Sequence, residues 1–180
     1  MRVGVHGQVG RFWNPENLTL SRSSRVLCRT TRGLEMGEII SPSSMLSAAP
    51  SEGDGRILRR MGAEDELLRS HLVQLANEVH DECATWLQNQ SVTSILLDVE
   101  PLMDGKTLYF HFLTPQTDEI VQKHLDYLAA RYEQQVAQSE FAKLLSEGCG
   151  PGCGTDEAVN GCGSRGGCKT CSLIKSCKKT

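Results

Sequence analysis

The chain has 180 residues, 39% of them apolar, and a formal net charge of −3, which suits one compact domain or two small ones. This near-neutral charge excludes a protein coated with basic side chains for nucleic acid, although local basic patches are compatible with it. No run of about 18 apolar residues is present, so we expect no membrane span. The first residues lack the apolar core of a signal peptide, and we therefore expect a cytoplasmic protein.

Residues 1–57 are predicted to form a small β region. Alternating and β-branched residues indicate strands over 25–30 and 34–40, joined by a turn, and a short apolar run covers 9–13. Short strands with tight turns favour a β-barrel-like arrangement. Cys28 lies on one of these strands and is expected to be a small core residue rather than a metal ligand.

Residues 58–147 are predicted to form an α+β domain that begins with a long helix over 64–87. Apolar residues recur there at steps of three and four and form one stripe. The stripe consists of Leu68, Leu72, Leu75, Val79, Cys83 and Trp86. Burial is therefore the expected state of Cys83. His71 lies off the stripe and is expected at the surface.

A β-hairpin is predicted next, with strands over 95–100 and 107–113. Asp104-Gly105 is a strong turn signal because both residues tolerate a positive φ. His111, on the second strand, is expected to be an exposed sheet residue rather than a catalytic base. A second helix is predicted to begin after Pro115, with acidic residues in its first turns.

The period of the sequence after residue 130 is ambiguous. The stripe of Val121, Leu125 and Leu128 can continue as one helix to residue 145. The alternation of Tyr132, Gln134 and Val136 equally allows a strand, followed by a short helix over 141–145.

Six of the eight cysteines lie in one C-terminal segment, and this segment is the main functional signal. Eight of the 17 glycines also fall between residues 148 and 167, and the apolar residues of the segment are too few for a hydrophobic core. We therefore predict a metal-binding tail over 148–180, organised by the bound metal. The candidate ligands are Cys149, Cys153, Cys162, Cys168, Cys171 and Cys177.

The spacing of these cysteines leaves the metal open. Cys168 and Cys171 have the two-residue spacing of zinc and iron–sulfur sites, and both metals accept four thiolates. A surplus of lysine and arginine in the tail favours thiolates over thiols. Disulfides would need an oxidising compartment, and the remaining alternative is a tail whose thiols bind nothing.

Several segments resemble the bacterial YaaT-type family, whose members carry the C-terminal domain first named in a yeast polymerase-suppressor protein. The similar segments are 9–15, 25–27, 31–39, 96–100, 108–114, 140–145 and Gly150-Pro151-Gly152-Cys153-Gly154. The resemblance covers about residues 3–155, and its specificity comes from the order and spacing of these segments. The adjacent Cys-Cys pairs of the family motif are absent here, and Cys153 is the cysteine that matches it best.

The resemblance implies a strand over 131–137, so that the α+β domain consists of a helix, a β-hairpin, a helix, a strand and a short helix. It also implies a non-catalytic regulatory subunit of a cytoplasmic complex that carries [4Fe–4S] clusters. The implied partners are two small helical proteins, and the implied role is to steer mRNA processing by an endoribonuclease.

Two other functions are weighed against this one. A small β region with a basic zinc knuckle would suit an RNA-binding or scaffold protein, although the tail has no aromatic residue to stack on bases. An enzyme is not expected, because the sequence contains no phosphate-binding loop and no nucleophile with an obvious partner.

Overall fold

The computed structural model describes residues 1–41, 55–90, 92–115 and 118–142, and these form two compact units. The first unit contains the described residues up to Glu66, and the second unit is Leu67–Ala142. Strands make up most of the regular structure of the first unit, whereas two helices and a hairpin dominate the second. The predicted α+β class is confirmed.

The strands of the first unit form one antiparallel sheet in the order β2-β1-β4-β3-β5. Their bounds are β1 Arg2–Val3, β2 Gln8–Val9, β3 Arg25–Arg29, β4 Leu34–Glu38 and β5 Arg56–Arg60. The predicted pairing of β3 with β4 is confirmed, in a register that runs from Arg25 opposite Glu38 to Arg29 opposite Leu34. Val26, Ile39 and Ile57 form a buried cluster on one side of this sheet.

The predicted barrel is wrong for the described residues, because their sheet is open, with β2 and β5 at its edges. Closing a barrel requires strands long enough to be tilted and staggered around a common axis. β1 and β2 have two residues each and are too short for this. The predicted run over 9–13 contributes Val9 to β2 and an isolated parallel bridge from Trp13 to Arg56.

β5 was not predicted from the sequence, and two features fix its position beside β3 and the start of α1. Gly55 precedes it with φ +90°, and a Cβ at this position would lie 2.4 Å from the carbonyl oxygen of Arg29. Glycine is therefore required where the chain approaches β3. Arg59 on β5 forms a buried ion pair with Asp65, in which Nη2 lies 2.7 Å from Oδ1.

The two predicted helices are present as α1, Ala63–Asn89, and α2, Glu119–Gln138. Asp118 caps α2, because its side chain accepts a hydrogen bond of 2.8 Å from the N–H of Ile120. Most of the predicted stripe of α1 is buried, together with Ala76 and Leu87. Neither helix has the length and apolarity needed to cross a membrane, and this holds for every helix in the described ranges.

The strand implied over 131–137 is wrong, because α2 continues through this segment to Gln138. Tyr132 and Val136 extend the helical step of the preceding apolar residues, and both are buried. A strand that buried these two would also bury Gln134 on the same face, yet Gln134 is exposed. The short helix expected over 141–145 lies largely outside the described residues.

The predicted hairpin is confirmed, with β6 Leu96–Pro101 paired antiparallel to β7 Leu108–Phe112. Its turn differs from the prediction, because Gly105 has a positive φ of +70° whereas Asp104 does not. Asp104 instead uses one carboxylate oxygen to accept hydrogen bonds of 2.9 Å from the N–H groups of Lys106 and Thr107. An aspartate that binds the backbone after it stabilises a longer turn than the two-residue one expected.

Candidate functional site

The predicted metal ligands Cys149, Cys153, Cys162, Cys168, Cys171 and Cys177 all lie outside the described residues. The other two cysteines, Cys28 and Cys83, lie in different units and are fully buried. Among the described residues, no group of three or more His, Cys, Asp or Glu side chains is arranged to hold a metal ion.

Cys28 and Cys83 have the environment of core residues, as predicted. Burial, with a smaller contribution from Glu35, raises the pKa of Cys28 to about 12. Burial, with a smaller contribution from Glu82, raises the pKa of Cys83 to about 11. Metal binding and nucleophilic attack both require the thiolate. These two thiols are therefore poor ligands and poor nucleophiles near neutral pH.

We expect Cys28 and Cys83 of the native protein to resist alkylation by iodoacetamide at pH 8. Both pKa values are raised, so each thiol keeps its proton until the pH approaches about 11 to 12. Mass spectrometry of tryptic peptides after a timed reaction would measure this, with urea-unfolded protein as the control. Modification of either cysteine at the same rate in native and unfolded protein would contradict the prediction.

Glu100 and His111 form a pair on the hairpin of the second unit. The Nε2 atom of His111 lies 3.0 Å from Oε2 of Glu100, and the two side chains are 18% and 10% exposed. The expectation that His111 is an exposed sheet residue is therefore wrong. A histidine beside a carboxylate can transfer protons, but here the pair joins β6 to β7 and the stabilisation of the hairpin explains it.

A second cluster joins α1 to α2 within the second unit. The ring of His124 stacks on Trp86 with centroids 4.1 Å apart and an interplanar angle of 12°. On the same side, Arg131 binds both carboxylate oxygens of Glu82, one of them at 2.8 Å, and its guanidinium lies 5.9 Å from the ring centroid of Tyr127. These contacts fix the two helices to each other through side chains that the sequence analysis did not single out.

Burial is the largest influence on the pKa of His124, whereas the hydrogen bond to Glu82 is the largest influence on the pKa of Arg131, which it raises. Desolvation lowers the pKa of His124, although the nearby Glu82 raises it in part, and the ring is therefore neutral at pH 7. Its Nε2 atom is buried and has no hydrogen-bond partner among the described residues. His71 was expected at the surface, but its Nε2 atom is also buried, and its ring lies 5.0 Å from that of Phe141.

The missed residues carried a weak signal in the sequence. His124, Tyr127 and Arg131 are three and four residues apart and therefore share one side of α2. Finding Glu82 and Trp86 as their partners requires the pairing of α1 with α2, which the sequence does not specify. Comparisons of the chain with protein-family models, with curated proteins and with solved structures find no match.

Proposed function

We propose that the protein is a non-catalytic regulatory subunit of a cytoplasmic complex, carries a [4Fe–4S] cluster on its C-terminal cysteines and modulates mRNA processing. The observation that carries this proposal is the concentration of six of the eight cysteines between Cys149 and Cys177. The partners and the role in mRNA processing rest on the resemblance to the YaaT-type family. On that basis the proposed partners are small helical proteins and an endoribonuclease.

The donor set fits the proposed cluster. A [4Fe–4S] cluster needs four thiolates, and the tail supplies six, among them Cys168 and Cys171 at a two-residue spacing. The positive charges of Arg165, Lys169 and Lys175 lower the cost of holding thiolates close together. When bound, such a cluster supplies an oxygen-sensitive redox centre. The raised pKa values of Cys28 and Cys83 support leaving these two outside the ligand set.

Buried charges of the described residues have structural partners, which supports a scaffold rather than a catalyst. Arg59 is paired with Asp65, and Arg32 binds Glu35 through two of its nitrogens. Each of these pairs joins neighbouring segments of the first unit. Each charged side chain is neutralised by its partner. Stabilisation of the fold is therefore sufficient to explain both ion pairs.

The test is anaerobic purification of the full chain, followed by iron, sulfide and zinc analysis and an absorption spectrum. We expect a broad band near 400 nm and about four irons and four sulfides per cluster. One zinc per chain and no colour would contradict the cluster and favour the zinc-knuckle alternative. A chain free of metal after reconstitution with iron and sulfide would contradict both.

Replacing Cys162, Cys168 and Cys171 together by serine is expected to abolish metal binding, because too few thiolates remain for four-fold ligation. We expect residues 1–142 to stay folded, since the buried apolar residues of the described ranges form their core without these cysteines. Metal analysis and far-UV circular dichroism of the same sample measure the two effects.

The matched controls are Cys28→Ala and Cys83→Ala, each of which removes a cysteine outside the tail. Both variants are expected to retain the full metal content, even if the loss of a buried sulfur atom lowers the stability of the fold. A halved metal content in either control would place that cysteine in the ligand set. Loss of the fold in the triple variant would contradict the independence of the two units from the tail.

A further inference from the structure

Trp13 presents a large aromatic side chain to solvent from a fixed backbone. Its N–H donates a hydrogen bond of 3.1 Å to the carbonyl of Gly55, and its carbonyl accepts one of 2.7 Å from the N–H of Ile57. The indole is nevertheless 53% exposed. An aromatic ring that is held in place and left in water is suited to stacking on a planar ligand.

Two arginines lie near Trp13 along the backbone. Arg56 is the bridge partner of Trp13 on β5, and residues paired across adjacent strands project to the same side. Arg11 precedes Trp13 by two residues and is exposed, whereas Phe12 between them packs against the buried cluster. Neither Arg11 nor Arg56 forms an ion pair within the described part of the chain.

A further arginine lies beside them. Arg29 on β3 is directly opposite Arg56, so three positions in a row across the strands are Arg29, Arg56 and Trp13. We name Arg11, Trp13 and Arg56 the arginine–tryptophan face.

The distribution of charge along the chain indicates a polyanionic partner for this face. The segment Met1–Glu66 contains nine arginines, no lysine and eight acidic side chains, a formal net charge of +1, whereas Leu67–Ala142 contains four basic and eleven acidic side chains, a formal net charge of −7. The guanidinium group is planar, binds phosphate through two N–H groups and also stacks on bases, which a lysine does not do. An exposed indole and nearby arginines are the two kinds of side chain that contact a single strand, through stacking on bases and through phosphate binding.

We propose that the arginine–tryptophan face binds single-stranded RNA, with a base stacked on Trp13 and phosphates held by Arg11 and Arg56. The inference deepens the proposed role in mRNA processing and rests on it for the choice of RNA. It does not depend on the cluster, because none of the three residues is a cysteine or lies in the tail. It also differs from an RNA contact through the tail, which has no aromatic residue.

The test measures the fluorescence anisotropy of a labelled oligouridine of about 12 nucleotides, a length within the range bound by small sheet domains. The protein is the full chain, with and without its metal. Trp13→Ala is expected to weaken binding about tenfold, whereas Trp13→Phe retains a stacking surface and most of the affinity. Arg56→Gln and Arg11→Gln are each expected to weaken binding and to lower the salt slope by about 0.7, the value for one phosphate contact on a single strand.

The matched control is Lys123→Gln, which removes one exposed positive charge from α2 in the other unit and is expected to change neither affinity nor salt slope. Equal affinity of Trp13→Ala and the wild type would overturn the face as the binding site. Binding of polyglutamate as tightly as oligouridine would also overturn it, in favour of an acidic protein partner.

The test separates this inference from the proposed function. Metal-free protein that binds oligouridine in a Trp13-dependent way supports the face even if no cluster is found. A full cluster content without binding of oligouridine overturns the face and leaves the cluster intact. Circular dichroism of each variant checks the fold, and Arg11→Gln and Arg56→Gln test the face if Trp13→Ala unfolds.

Discussion

Replacing Asp65 by alanine is expected to lower the free energy of unfolding of the first unit by about 3–5 kcal/mol. The change leaves the guanidinium of Arg59, which is 6% exposed, without the carboxylate that neutralises it. It also removes the acceptor of the Gly62 N–H group, which lies 2.8 Å from Oδ2 and precedes the first turn of α1. Urea denaturation measures the loss, and hydrogen exchange of the β3 and β5 amides locates it.

Glu64→Ala is the matched control for Asp65→Ala. Glu64 lies one residue earlier in the same acidic first turn but is exposed, so its loss is expected to cost less than about 0.5 kcal/mol. Arg59→Met in combination with Asp65→Leu removes both charges and is expected to recover much of the stability. Equal effects of Asp65→Ala and Glu64→Ala would refute a structural role for the pair.

Two substitutions of Tyr132 are expected to have opposite effects on the second unit. Tyr132→Ala removes a fully buried ring and is expected to cost about 3–5 kcal/mol through lost burial and the remaining cavity. Tyr132→Phe keeps the ring and removes a buried hydroxyl that has no partner among the described residues. It is expected to raise the free energy of unfolding by about 1 kcal/mol.

The pH dependence of Tyr132→Phe provides a second measurement. Burial raises the pKa of Tyr132 above its ordinary value of 10.0, so the folded state keeps the phenol proton where the unfolded state releases it. The wild type is therefore expected to lose stability as the pH rises above about 10, and the variant to lose less. Tyr127→Phe, which removes an exposed hydroxyl, is the control. A destabilised Tyr132→Phe would show that the hydroxyl has a partner.

Local sequence patterns predicted those helices and strands whose apolar residues recur with a clear period. The stripe of α1, the alternation of β3 and the Asp104-Gly105 turn each depend on residues that are close together in the sequence. Packing within the second unit determined the secondary structure of residues 131–137. The positions of Tyr132 and Val136 in the sequence were compatible with either a helix or a strand. The resemblance favoured a strand there, and burial along one side of α2 gave a helix instead.

The elements that were missed depend on distant partners. β5 contains three arginines in five residues, which no strand rule selects, and it is held by the buried pair of Arg59 with Asp65 and by its register with β3. Trp13 was assigned to an apolar run, but it is exposed, and its backbone position is fixed by a bridge to Arg56, which is distant from it in the sequence. The six candidate ligands are predicted from the clustering of cysteines in the sequence and lie outside the described residues.

The two tryptophans of the chain divide between the two units, and this gives each unit its own optical signal. Trp13 is 53% exposed, so its emission is expected at long wavelength and within reach of soluble quenchers such as acrylamide. Trp86 is stacked on His124, and protonation of that imidazole is expected to quench its emission at acidic pH. Because burial lowers the pKa of His124, this quenching is expected below the ordinary value of 6.5. The change in Trp86 emission with pH therefore reports on the second unit, and quenching by acrylamide distinguishes the emission of Trp13 from it.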